Sequence, residues 1–459
     1  MPTSGGFNRT IKFGIAFTDV LLYHLSFVLT FLIRYKGEIP RFNYSAYQSG
    51  LPYIILAFIL INTFSGIYTL YNKRLIDMFS TTFITQIMMS IMVTAMTFYG
   101  RWFAFPRTII LLSLMISTII LFGWRIIVLE LYIKNTGTSN VMILGDEIRS
   151  KEAVANFKNS ESRQYKVTSV VLDNYMKHIK NNINDIDVFY FLNFQSLEQE
   201  EEVLSYLTLK NKRIFFETNF ENILRVNNRI MNIDDESLVA VSKFEISPEN
   251  GSIKRLFDIL FSLFMLIIFS PLMLLTAIAI KLTSKGPILY KQVRVTRGDK
   301  EFEILKFRSM RIDAEELSGP VLAQAKDPRI TPIGNYLRSL RIDELPQLLN
   351  VLKGDMSLIG PRPERPFFVD QFQQVNPHYY LRHKVRAGIT GYAQVYGTYS
   401  TDFNSKLRFD LLYIKNYSLK MDLQILFQTI KILFDKVSSR GLEDEMSYDE
   451  IFNGINIYK

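Results

Sequence analysis

The chemistry available to this chain is limited by the residue types that it lacks. It contains no cysteine and only four histidines, which are scattered along the sequence as His24, His178, His378 and His383. A thiol nucleophile, a disulfide framework and a thiolate metal site are therefore excluded, and the histidines do not have the spacing of a metal site. Any reaction must depend on carboxylates, basic side chains or hydroxyl groups.

The acidic pair Asp343-Glu344 is the candidate for such chemistry. The segment from Asp343 to Gly354 is typical of a helix with Asp343 near its N-cap, Pro346 in its first turn and Gly354 at its end. A carboxylate at a helix N-terminus lies close to unpaired backbone N–H groups, which favour its ionised form and also attract phosphate. An isolated Asp-Glu pair would more often be an ordinary helix cap, so the catalytic interpretation depends on the surrounding motifs.

Long apolar stretches in the first part of the chain predict a membrane domain. The chain has 459 residues, 48% of them apolar, and a net charge of +9, which leaves room for about three domains of ~150 residues and excludes a disordered tail. Charges are absent from residues 51–71, 78–100 and 108–124, and Asp19 alone interrupts residues 13–33. Each stretch approaches the ~20 residues that cross a bilayer. We expect an integral membrane α-helical N-terminal bundle of four transmembrane helices over residues 1–130.

Asp19 lies inside the first of these stretches. A cleaved signal peptide is disfavoured, because Asp19 and His24 interrupt the apolar run and no small-residue cleavage pattern follows it. An ionisable residue within a span is either functional or a hydrogen-bonding partner in the bundle interior, and we favour the second interpretation. The loops carry balanced basic charge, so orientation stays open. An even number of spans would place the N-terminus and everything after residue 130 on one side.

Residues 131–250 predict a Rossmann-like α/β domain. Short strand patterns at 140–144, 166–172, 187–192, 213–216 and 238–241 alternate with helical stretches, which favours a small parallel sheet. Its first turn, Gly145-Asp146-Glu147, offers one glycine and two anions where a pyrophosphate would need a cradle, so we expect no dinucleotide there. Tyr206 and Lys210 have the spacing of a dehydrogenase pair, but without the glycines we take this as a chance match.

A further apolar segment opens the last predicted domain, residues 251–459. The 22 residues between Asp258 and Lys281 are uncharged, and Ser270-Pro271 lies at their midpoint. Proline removes one helical hydrogen bond and clashes with the preceding turn, so we expect a bent helix over about residues 257–280. Periodicity does not decide whether this helix crosses the membrane or turns back within it.

Six short motifs occur in one order in this region: Lys254-Arg-Leu-Phe-Asp258, Lys306-Phe-Arg-Ser-Met310, Asp327-Pro-Arg-Ile-Thr331, Asp343-Glu-Leu-Pro-Gln347, Ser357-Leu-Ile-Gly-Pro-Arg-Pro-Glu364 and Gly388-Ile-Thr-Gly391. Any one of them is weak, whereas six in order are specific. The series resembles the bacterial sugar transferase family of monotopic phosphoglycosyl transferases, densely over residues 252–435. The front half resembles the long polyprenyl-phosphate hexose-1-phosphate transferase branch by architecture only. Two positions depart from the family pattern: Ala387 replaces a usual proline, from which we expect a looser substrate loop, and Thr296 replaces a common glycine.

The resemblance implies a reaction. Hexose-1-phosphate would pass from a UDP-sugar to undecaprenyl phosphate with release of UMP, starting capsule, exopolysaccharide or O-antigen synthesis. Asp343 would be the nucleophile that forms an aspartyl-phosphosugar intermediate. Glu344 would help to bind Mg²⁺, the expected cofactor, which neutralises the diphosphate.

The resemblance also implies which cations bind the substrates. Lys306 and Arg386 are expected to contact phosphate or uridine, and Arg362 lies between two prolines that fix the local backbone and aim its guanidinium at phosphate oxygens. Arg338 is expected either to bind substrate or to brace the site through a structural ion pair, and the two alternatives are equally favoured. Convergent cations are what phosphoryl transfer requires, because it depends on positioning and charge neutralisation.

In this family the bent helix is a re-entrant membrane element broken at Ser270 and Pro271. That geometry implies a mainly α C-terminal catalytic domain on the cytoplasmic side of the bacterial plasma membrane. Nine Lys and Arg residues within 281–311 would attract anionic membrane lipids, and residues 409–437 suit an amphipathic helix at the interface. We expect no nucleic acid partner, and a homodimer is a further expectation.

Two other classes of function stay open at this point. A membrane-bound nucleotide-sugar dehydratase or epimerase would also join four spans to an α/β domain, but it would need a Gly-rich turn that Gly145-Asp146-Glu147 does not provide. A non-catalytic membrane scaffold would leave the six motifs unexplained. The sugar is not encoded in any motif, and glucose or galactose is favoured over N-acetylated sugars.

Overall fold

The chain divides into two compact units in the computed structural model, one of Met1–Glu217 with Asp444–Lys459 and one of Thr218–Glu443. The structure describes residues 9–68, 75–102, 104–159, 164–192, 194, 196–311, 329–397, 402–434 and 451–458. Residues 218–250, which the sequence groups with the α/β domain, fall in the second unit.

The first unit begins with four long helices, α1 (Arg9–Arg34), α2 (Arg41–Phe64), α3 (Leu75–Tyr99) and α4 (Arg107–Thr136). All four are long and apolar enough to cross a membrane, which confirms the predicted apolar helices. Their common core is largely aromatic, and the rings of Tyr23 and Phe58 stack with centroids 4.3 Å apart. The outward faces stay apolar and exposed, as expected for surfaces that contact lipid.

A buried ion pair connects these four helices. Asp19 of α1 is fully buried and lies 3.1 Å from the guanidinium of Arg125 in α4. Arg125 also donates hydrogen bonds to Asn62 of α2 at 3.1 Å and to Thr82 of α3 at 2.7 Å. The structure therefore favours a bundle-interior role for Asp19.

A parallel five-stranded sheet follows in the same unit. Its strands are β1 (Ser139–Leu144), β2 (Tyr165–Val171), β3 (Val188–Phe191), β4 (Arg213–Phe216) and a C-terminal strand, β11 (Asn456–Tyr458); the helices between them are α5 (Glu147–Asn159), α6 (Tyr175–Asn182) and α7 (Leu197–Leu209). The strand order is β11-β2-β1-β3-β4. The parallel α/β sheet is confirmed, and its Rossmann-like classification stays a prediction.

The fifth predicted strand of this sheet is wrong. Residues 238–241 fall largely in β6 (Glu236–Ala240), which pairs antiparallel with β5 (Arg229–Ile233) in a separate hairpin. The segments that flank this hairpin are held by the second unit, where the ammonium of Lys415 donates to the carbonyls of Leu224 at 3.1 Å and Ser242 at 2.8 Å. The fifth position in the parallel sheet is occupied instead by β11.

The first turn of the sheet is tight. A side chain at Gly145 would place its Cβ 2.6 Å from Leu192, so only glycine fits. A carboxylate oxygen of Asp146 accepts the backbone N–H of Arg149 at 2.9 Å. The acid thus caps the N-terminus of α5, the position at which a phosphate binds in dinucleotide folds.

The second unit is mainly α-helical. Its helices are α8 (Phe220–Arg225), α9 (Pro248–Thr283), α10 (Pro332–Ser339), α11 (Gln347–Lys353), α12 (Pro366–Val375), α13 (Tyr392–Tyr396), α14 (Phe403–Lys415) and α15 (Leu419–Phe434). Besides β5 and β6, its strands are β7 (Leu289–Val295) and β8 (Glu301–Phe307), which form an antiparallel hairpin, and β9 (Met356–Ile359) and β10 (Ala387–Thr390), which pair in parallel. Both strand pairs and most of the helices contribute to one core, in which Val351, Met356 and Ile359 are fully buried, and a smaller cluster joins α9, β8 and α10.

Helix α9 is the fifth helix that is long and apolar enough to cross a membrane. It continues through Pro271, whose missing N–H would otherwise bond to the carbonyl of Ile267. The hydroxyl of Ser270 donates to that carbonyl at 2.8 Å and so replaces the lost partner, as hydroxyl side chains do at proline in membrane helices. The re-entrant path of this helix stays a prediction.

The N-terminal part of α9 is anchored to the core by a buried ion pair. The ammonium of Lys254 lies 2.6 Å from a carboxylate oxygen of Asp422 in α15, and the hydroxyl of Tyr413 donates to the other oxygen at 2.7 Å. A second motif residue, Asp258, accepts the backbone N–H of Leu358 at 3.1 Å. The first of the six motifs therefore ties the membrane helix to the domain.

The single amphipathic helix predicted over residues 409–437 is wrong, because the structure has two helices, α14 and α15. The first ends at Lys415, and the hydroxyl of Ser418 then accepts the N–H of Met421 at the start of the second. This local cap makes a new helix more favourable than a continued one. Residues 435–437 lie outside the described residues.

We expect Arg125→Met to destabilise the helical bundle strongly. The substitution leaves the buried carboxylate of Asp19 without its cation, a loss of about 3–5 kcal/mol for a buried pair. Thermal unfolding of the detergent-solubilised protein should show a large drop in Tm. Arg107→Met, which removes an exposed arginine from the same helix, serves as the control, and Asp19→Asn combined with Arg125→Met should recover part of the loss. Equal Tm values for the two single variants would contradict the proposed role of the pair.

Candidate active site

The acidic pair lies in a short 3₁₀ turn, Ile342–Glu344, and not at the start of the following helix. Helix α11 begins at Gln347, with Pro346 at its N-cap and no side-chain capping hydrogen bond. The predicted N-cap position of Asp343 is therefore wrong. Arg341, which has a left-handed backbone with φ of 55°, bends the chain before the turn and separates the turn from α10. The predicted helix end is confirmed, since Gly354 caps α11 with φ of 98°.

Asp343 lies in a buried environment. Its side chain is almost inaccessible, and its Oδ1 atom has no hydrogen-bond partner among the residues that the structure describes. Burial raises the pKa of Asp343, and the neighbouring charge of Glu344 raises it further, whereas Lys306, Arg338 and Arg341 partly offset both effects. The sequence predicts a carboxylate kept ionised by a helix N-terminus, and the structure shows a more basic carboxylate instead.

Glu344 is surrounded by cations. Its Oε1 atom lies 3.1 Å from the ammonium of Lys306, 3.7 Å from Arg362 and 3.8 Å from Arg341. Burial opposes ionisation of Glu344, but these charges outweigh it and lower its pKa to about 2. Burial lowers the pKa of Lys306, and the charge of Glu344 works against that effect. The two carboxylates thus lie beside more positive charge than they neutralise, which makes the site attractive to phosphate.

The predicted substrate-binding cations divide into two groups. Lys306 on β8 and Arg362 after β9 meet at Glu344, and Arg338, in the last turn of α10, acts electrostatically on Asp343. Arg386 lies elsewhere, because its Nε donates at 3.1 Å to the carbonyl of Gly354 at the far end of α11. The structure therefore brings three of the four cations to the acidic pair, and Arg386 stabilises the C-terminal end of α11.

A second arginine, Arg255, also contacts the C-terminal end of α11. The guanidinium of Arg255 donates to the carbonyls of Val351 at 2.6 Å and Leu352 at 2.9 Å. Arginine near the last carbonyls of a helix complements its dipole. The sequence motif that contains Lys254 and Arg255 thus has a structural function at both residues.

The residues of this site could supply only some of the oxygen ligands that a Mg²⁺ ion needs. Among the described residues, no group of three or more His, Asp or Glu is arranged to hold a metal ion. Oε1 of Glu344 is already held by three cations, whereas Oδ1 of Asp343 is buried and unpaired. A Mg²⁺ ion that arrives with substrate phosphates needs only one or two protein carboxylates. Asp343 fits that requirement, and ligation by Glu344 stays a prediction.

Several supporting residues were not predicted from the sequence. Asn350, inside α11, donates to the carbonyl of Glu303 at 2.8 Å and accepts the N–H of Leu305 at 2.9 Å, which ties α11 to the strand that carries Lys306. A polar residue within the apolar run of α11 was the available signal. No motif in the sequence indicated a role for Arg341, because its contact with Glu344 depends on a left-handed backbone.

Two glycines allow the strands β9 and β10 to approach closely. A Cβ at Gly388 would lie 2.1 Å from the backbone nitrogen of Gly360, and one at Gly360 would lie 2.3 Å from the carbonyl oxygen of Arg386. Any larger residue at either position would separate the strands. The motifs that contain Arg362 and Arg386 are thus held side by side by the absence of side chains.

The two departures from the family pattern contact each other. The hydroxyl of Thr296 accepts the backbone N–H of Ala387 at 3.1 Å and donates to the carbonyl of Asp355 at 2.7 Å. A proline at position 387 would have no N–H, and a glycine at position 296 would have no hydroxyl. Thr296 thus supplies a partner for the free N–H of Ala387, and the looser loop stays a prediction.

Comparisons with known proteins agree with this geometry. The family model "Bacterial sugar transferase" matches residues 249–436. A UDP-N-acetylgalactosamine-undecaprenyl-phosphate N-acetylgalactosaminephosphotransferase of Aeromonas hydrophila is 50% identical over 197 residues, which are 42% of this chain and 46% of the relative. A UDP-glucose:undecaprenyl-phosphate glucose-1-phosphate transferase of Klebsiella pneumoniae is 43% identical over 192 residues, 40% of this chain and 41% of the relative.

A shorter relative is matched over most of its length. A putative undecaprenyl-phosphate N-acetylgalactosaminyl 1-phosphate transferase of Bacillus subtilis is 49% identical over 156 residues, which are 33% of this chain and 87% of the relative. The chain therefore belongs to the bacterial sugar transferase family, and its five apolar helices make it a membrane protein. The matches span less than half the length of the first two relatives.

We expect Thr296→Val to destabilise the second unit by about 1–3 kcal/mol, because it leaves the buried N–H of Ala387 unpaired. Thr296→Ser keeps the hydroxyl and should retain most of the stability. Thr283→Val, which removes an exposed hydroxyl on α9, is the matched control and should change stability by less than about 0.5 kcal/mol. Thermal or denaturant unfolding measures all three, and a Thr296→Val protein as stable as the control would contradict the assigned contact.

Proposed function

We propose that this protein is a phosphoglycosyl transferase that moves hexose-1-phosphate from a UDP-sugar to undecaprenyl phosphate. The observation that carries the proposal is the pairing of a buried carboxylate, whose Oδ1 is unpaired, with a neighbour whose charge is balanced by convergent cations. The substrates named for the relatives, UDP-sugars and undecaprenyl phosphate, are both phosphate anions that such a site attracts.

In the first step, an oxygen of Asp343 attacks the β-phosphorus of the UDP-sugar. An Asp–O–P bond forms, the P–O bond to the α-phosphate breaks, and UMP leaves with the bonding electron pair. The raised pKa of Asp343 makes this carboxylate more nucleophilic once it is ionised. Its unpaired Oδ1 atom requires no existing hydrogen bond to break before attack.

In the second step, a phosphate oxygen of undecaprenyl phosphate attacks the same phosphorus. The Asp–O–P bond breaks, the carboxylate of Asp343 is restored, and the sugar leaves on a lipid diphosphate. Two negatively charged reactants meet in each step, so cations must offset their repulsion. Lys306 and Arg362 do so at Glu344, and Arg338 and Arg341 do so beside Asp343.

Glu344 has a supporting role in this scheme. With its pKa lowered to about 2 it stays ionised and gives Lys306, Arg341 and Arg362 a common partner. The three cations are thereby held in place before the substrate arrives, which reduces the reorganisation needed for transfer. Mg²⁺, when bound with the diphosphate, would neutralise its charge, and the acidic pair offers the carboxylates that would hold it.

The cellular setting is part of the same proposal. The chain would lie in the bacterial inner membrane with its catalytic domain on the cytoplasmic side, where nucleotide sugars occur, and would start capsule, exopolysaccharide or O-antigen synthesis. Helix α9 would be re-entrant, with its break at Ser270 and Pro271, and anionic lipids would contact the basic residues that follow it. Homodimer formation stays a prediction.

We expect the purified protein to release UMP when it is given Mg²⁺, undecaprenyl phosphate and the correct UDP-sugar. The panel should include UDP-glucose, UDP-galactose and UDP-N-acetylgalactosamine, because the relatives differ in the sugar they are named for. Asp343→Asn should reduce release by at least about 1,000-fold, since it removes the nucleophile.

An equally stable variant controls for misfolding. Asp370→Asn removes a carboxylate of α12 that the site does not use, and it should retain activity. UDP in place of UMP would indicate ordinary glycosyl transfer and would exclude the aspartyl route. Full activity of Asp343→Asn would assign the nucleophile elsewhere.

The activity should fall on the acid side as Asp343 becomes protonated. Because its folded-state pKa is raised above the usual value, the ionised fraction falls as pH decreases through that higher value, while Glu344 stays charged. Arg341→Gln removes a cation that lowers the pKa of Asp343, so the acid limb of kcat/KM should move to higher pH.

The control for this shift is Lys353→Gln, which removes an exposed positive charge at the far end of α11. Profiles of kcat/KM against pH for the wild type and both variants give the comparison. A limb that moves to lower pH in Arg341→Gln, or that moves equally in both variants, would contradict the assignment to Asp343.

A further inference from the structure

The Pro361-Arg362-Pro363-Glu364 segment is fixed at every backbone carbonyl. The carbonyl of Pro361 accepts the N–H of Gly388 at 2.9 Å, and that of Glu364 accepts the N–H of Val295 at 3.0 Å. These two bonds attach the ends of the segment to β10 and β7. Two prolines also restrict the backbone dihedral φ on either side of Arg362.

The two inner carbonyls are held by arginine side chains. Arg382 donates to the carbonyl of Arg362 at 2.8 Å, and Arg294 donates to the carbonyl of Pro363 at 3.1 Å. A backbone carbonyl bonded to a charged guanidinium makes a stronger contact than one bonded to a neutral donor. Four consecutive carbonyls are thus bonded around one side chain, that of Arg362.

Arg382 is itself held rigidly. Its guanidinium is buried, and its Nε donates to a carboxylate oxygen of Asp410 at 3.0 Å. The nitrogen that donates to the carbonyl of Arg362 lies 2.9 Å from the same oxygen. A third nitrogen donates to the hydroxyl of Tyr379. Each of the three guanidinium nitrogens therefore has a partner, which restricts movement of the nitrogen that reaches the carbonyl of Arg362.

Arg294 is also held in place by several side-chain contacts. Its guanidinium donates twice to the side-chain oxygen of Gln292, at 3.0 Å and 2.6 Å, and lies 3.5 Å from the carboxylate of Glu364. Within the described part of the chain, neither Arg294 nor Arg382 makes a hydrogen bond or ion pair with Asp343 or Glu344. Their shared partner is the backbone around Arg362.

Arg362 needs such support because its own side chain is partly free. It is 43% exposed and contacts Glu344 only at 3.7 Å. A long side chain on a mobile loop would sample many orientations, whereas a fixed backbone limits the positions that its guanidinium reaches. A displacement of about 1 Å at a phosphoryl-transfer site is enough to cost on the order of 100-fold in rate.

We propose that Arg382 and Arg294 are positioning residues that aim the guanidinium of Arg362 at the transferring phosphate by fixing the carbonyls of residues 362 and 363. The proposal rests on the proposed function, in which Arg362 offsets the charge of the donor diphosphate. Neither arginine touches substrate, and both act through Arg362.

The main test is a double-mutant cycle on UMP release. Arg382→Lys keeps the charge beside Asp410, but a single ammonium does not bond to Asp410, Tyr379 and the carbonyl of Arg362 together. We expect a loss of roughly 10- to 100-fold in kcat/KM, mainly in kcat, from this variant. In an Arg362→Ala background the guanidinium that Arg382 positions is absent, so the same change should lower kcat/KM by less than about threefold.

If Arg382→Lys does not fold, Arg294→Lys tests the same positioning role. It should lose activity in the same way, and it too should lose little more in the Arg362→Ala background. Lys384→Gln, which removes an exposed charge two residues from Arg382, is the control and should keep wild-type kcat/KM. Melting temperatures of all variants establish that they are folded.

The outcomes separate this inference from the proposed function. If the wild type releases UMP and Asp343→Asn does not, the proposed function stands. The positioning role alone would then be overturned if Arg382→Lys lowered kcat/KM by the same factor with and without Arg362→Ala. Full activity of both lysine variants would overturn it as well. Wild-type activity in Arg362→Ala would overturn the role of Arg362 and the inference with it. An inactive wild type would overturn both proposals.

Discussion

Two adjacent carboxylates buried in one turn are the constraint on which the second unit depends. Asp343 and Glu344 repel each other, and burial removes the water that would screen them. The structure resolves this conflict unequally, because three cations meet on one oxygen of Glu344 while Asp343 keeps an unpaired oxygen. The pair therefore consists of a strongly stabilised anion, Glu344, and a more basic carboxylate, Asp343, with an unpaired oxygen among the described residues.

The surrounding elements can be understood as supports for that arrangement. Strand β8 carries Lys306, and Asn350 ties this strand to α11, which follows the acidic turn. Strands β9 and β10 approach at two glycines and hold the segment that contains Arg362. Buried pairs such as Lys254 with Asp422 fasten the membrane helix α9 to the same core. The site and helix α9 thus belong to the same compact unit and are joined through its packed elements.

The sequence predicted the parts of this structure that depend on local pattern. Apolar stretches of sufficient length identified the five membrane helices, and short β-branched and aromatic runs identified β1 to β4. It did not predict β11, which comes from the far end of the chain, because pairing between distant segments leaves no local pattern. The strand predicted at residues 238–241 was assigned to the wrong sheet, because its sequence pattern does not show that it pairs with the neighbouring strand β5.

The site was predictable in its residue types but less so in its geometry. Lys306 and Arg362 could be expected at the acidic pair from their motifs, whereas Arg341 and Arg382 are placed by a left-handed backbone and by buried pairs that spacing does not reveal. The N-cap expected for Asp343 failed because a local turn precedes the helix, and α11 starts only after Pro346. The contact between Thr296 and Ala387 shows that two separate departures from a family pattern can form one interaction.

The covalent role of Asp343 is the central claim of this account, and peptide mass spectrometry tests it most directly. The purified protein is mixed with the preferred UDP-sugar and Mg²⁺ without undecaprenyl phosphate, quenched in acid and digested. The account predicts a mass increase of one phosphosugar on the peptide that contains Asp343, its loss on addition of undecaprenyl phosphate, and no adduct in Asp343→Asn. An active enzyme that never carries the adduct, or carries it on another residue, would contradict the account.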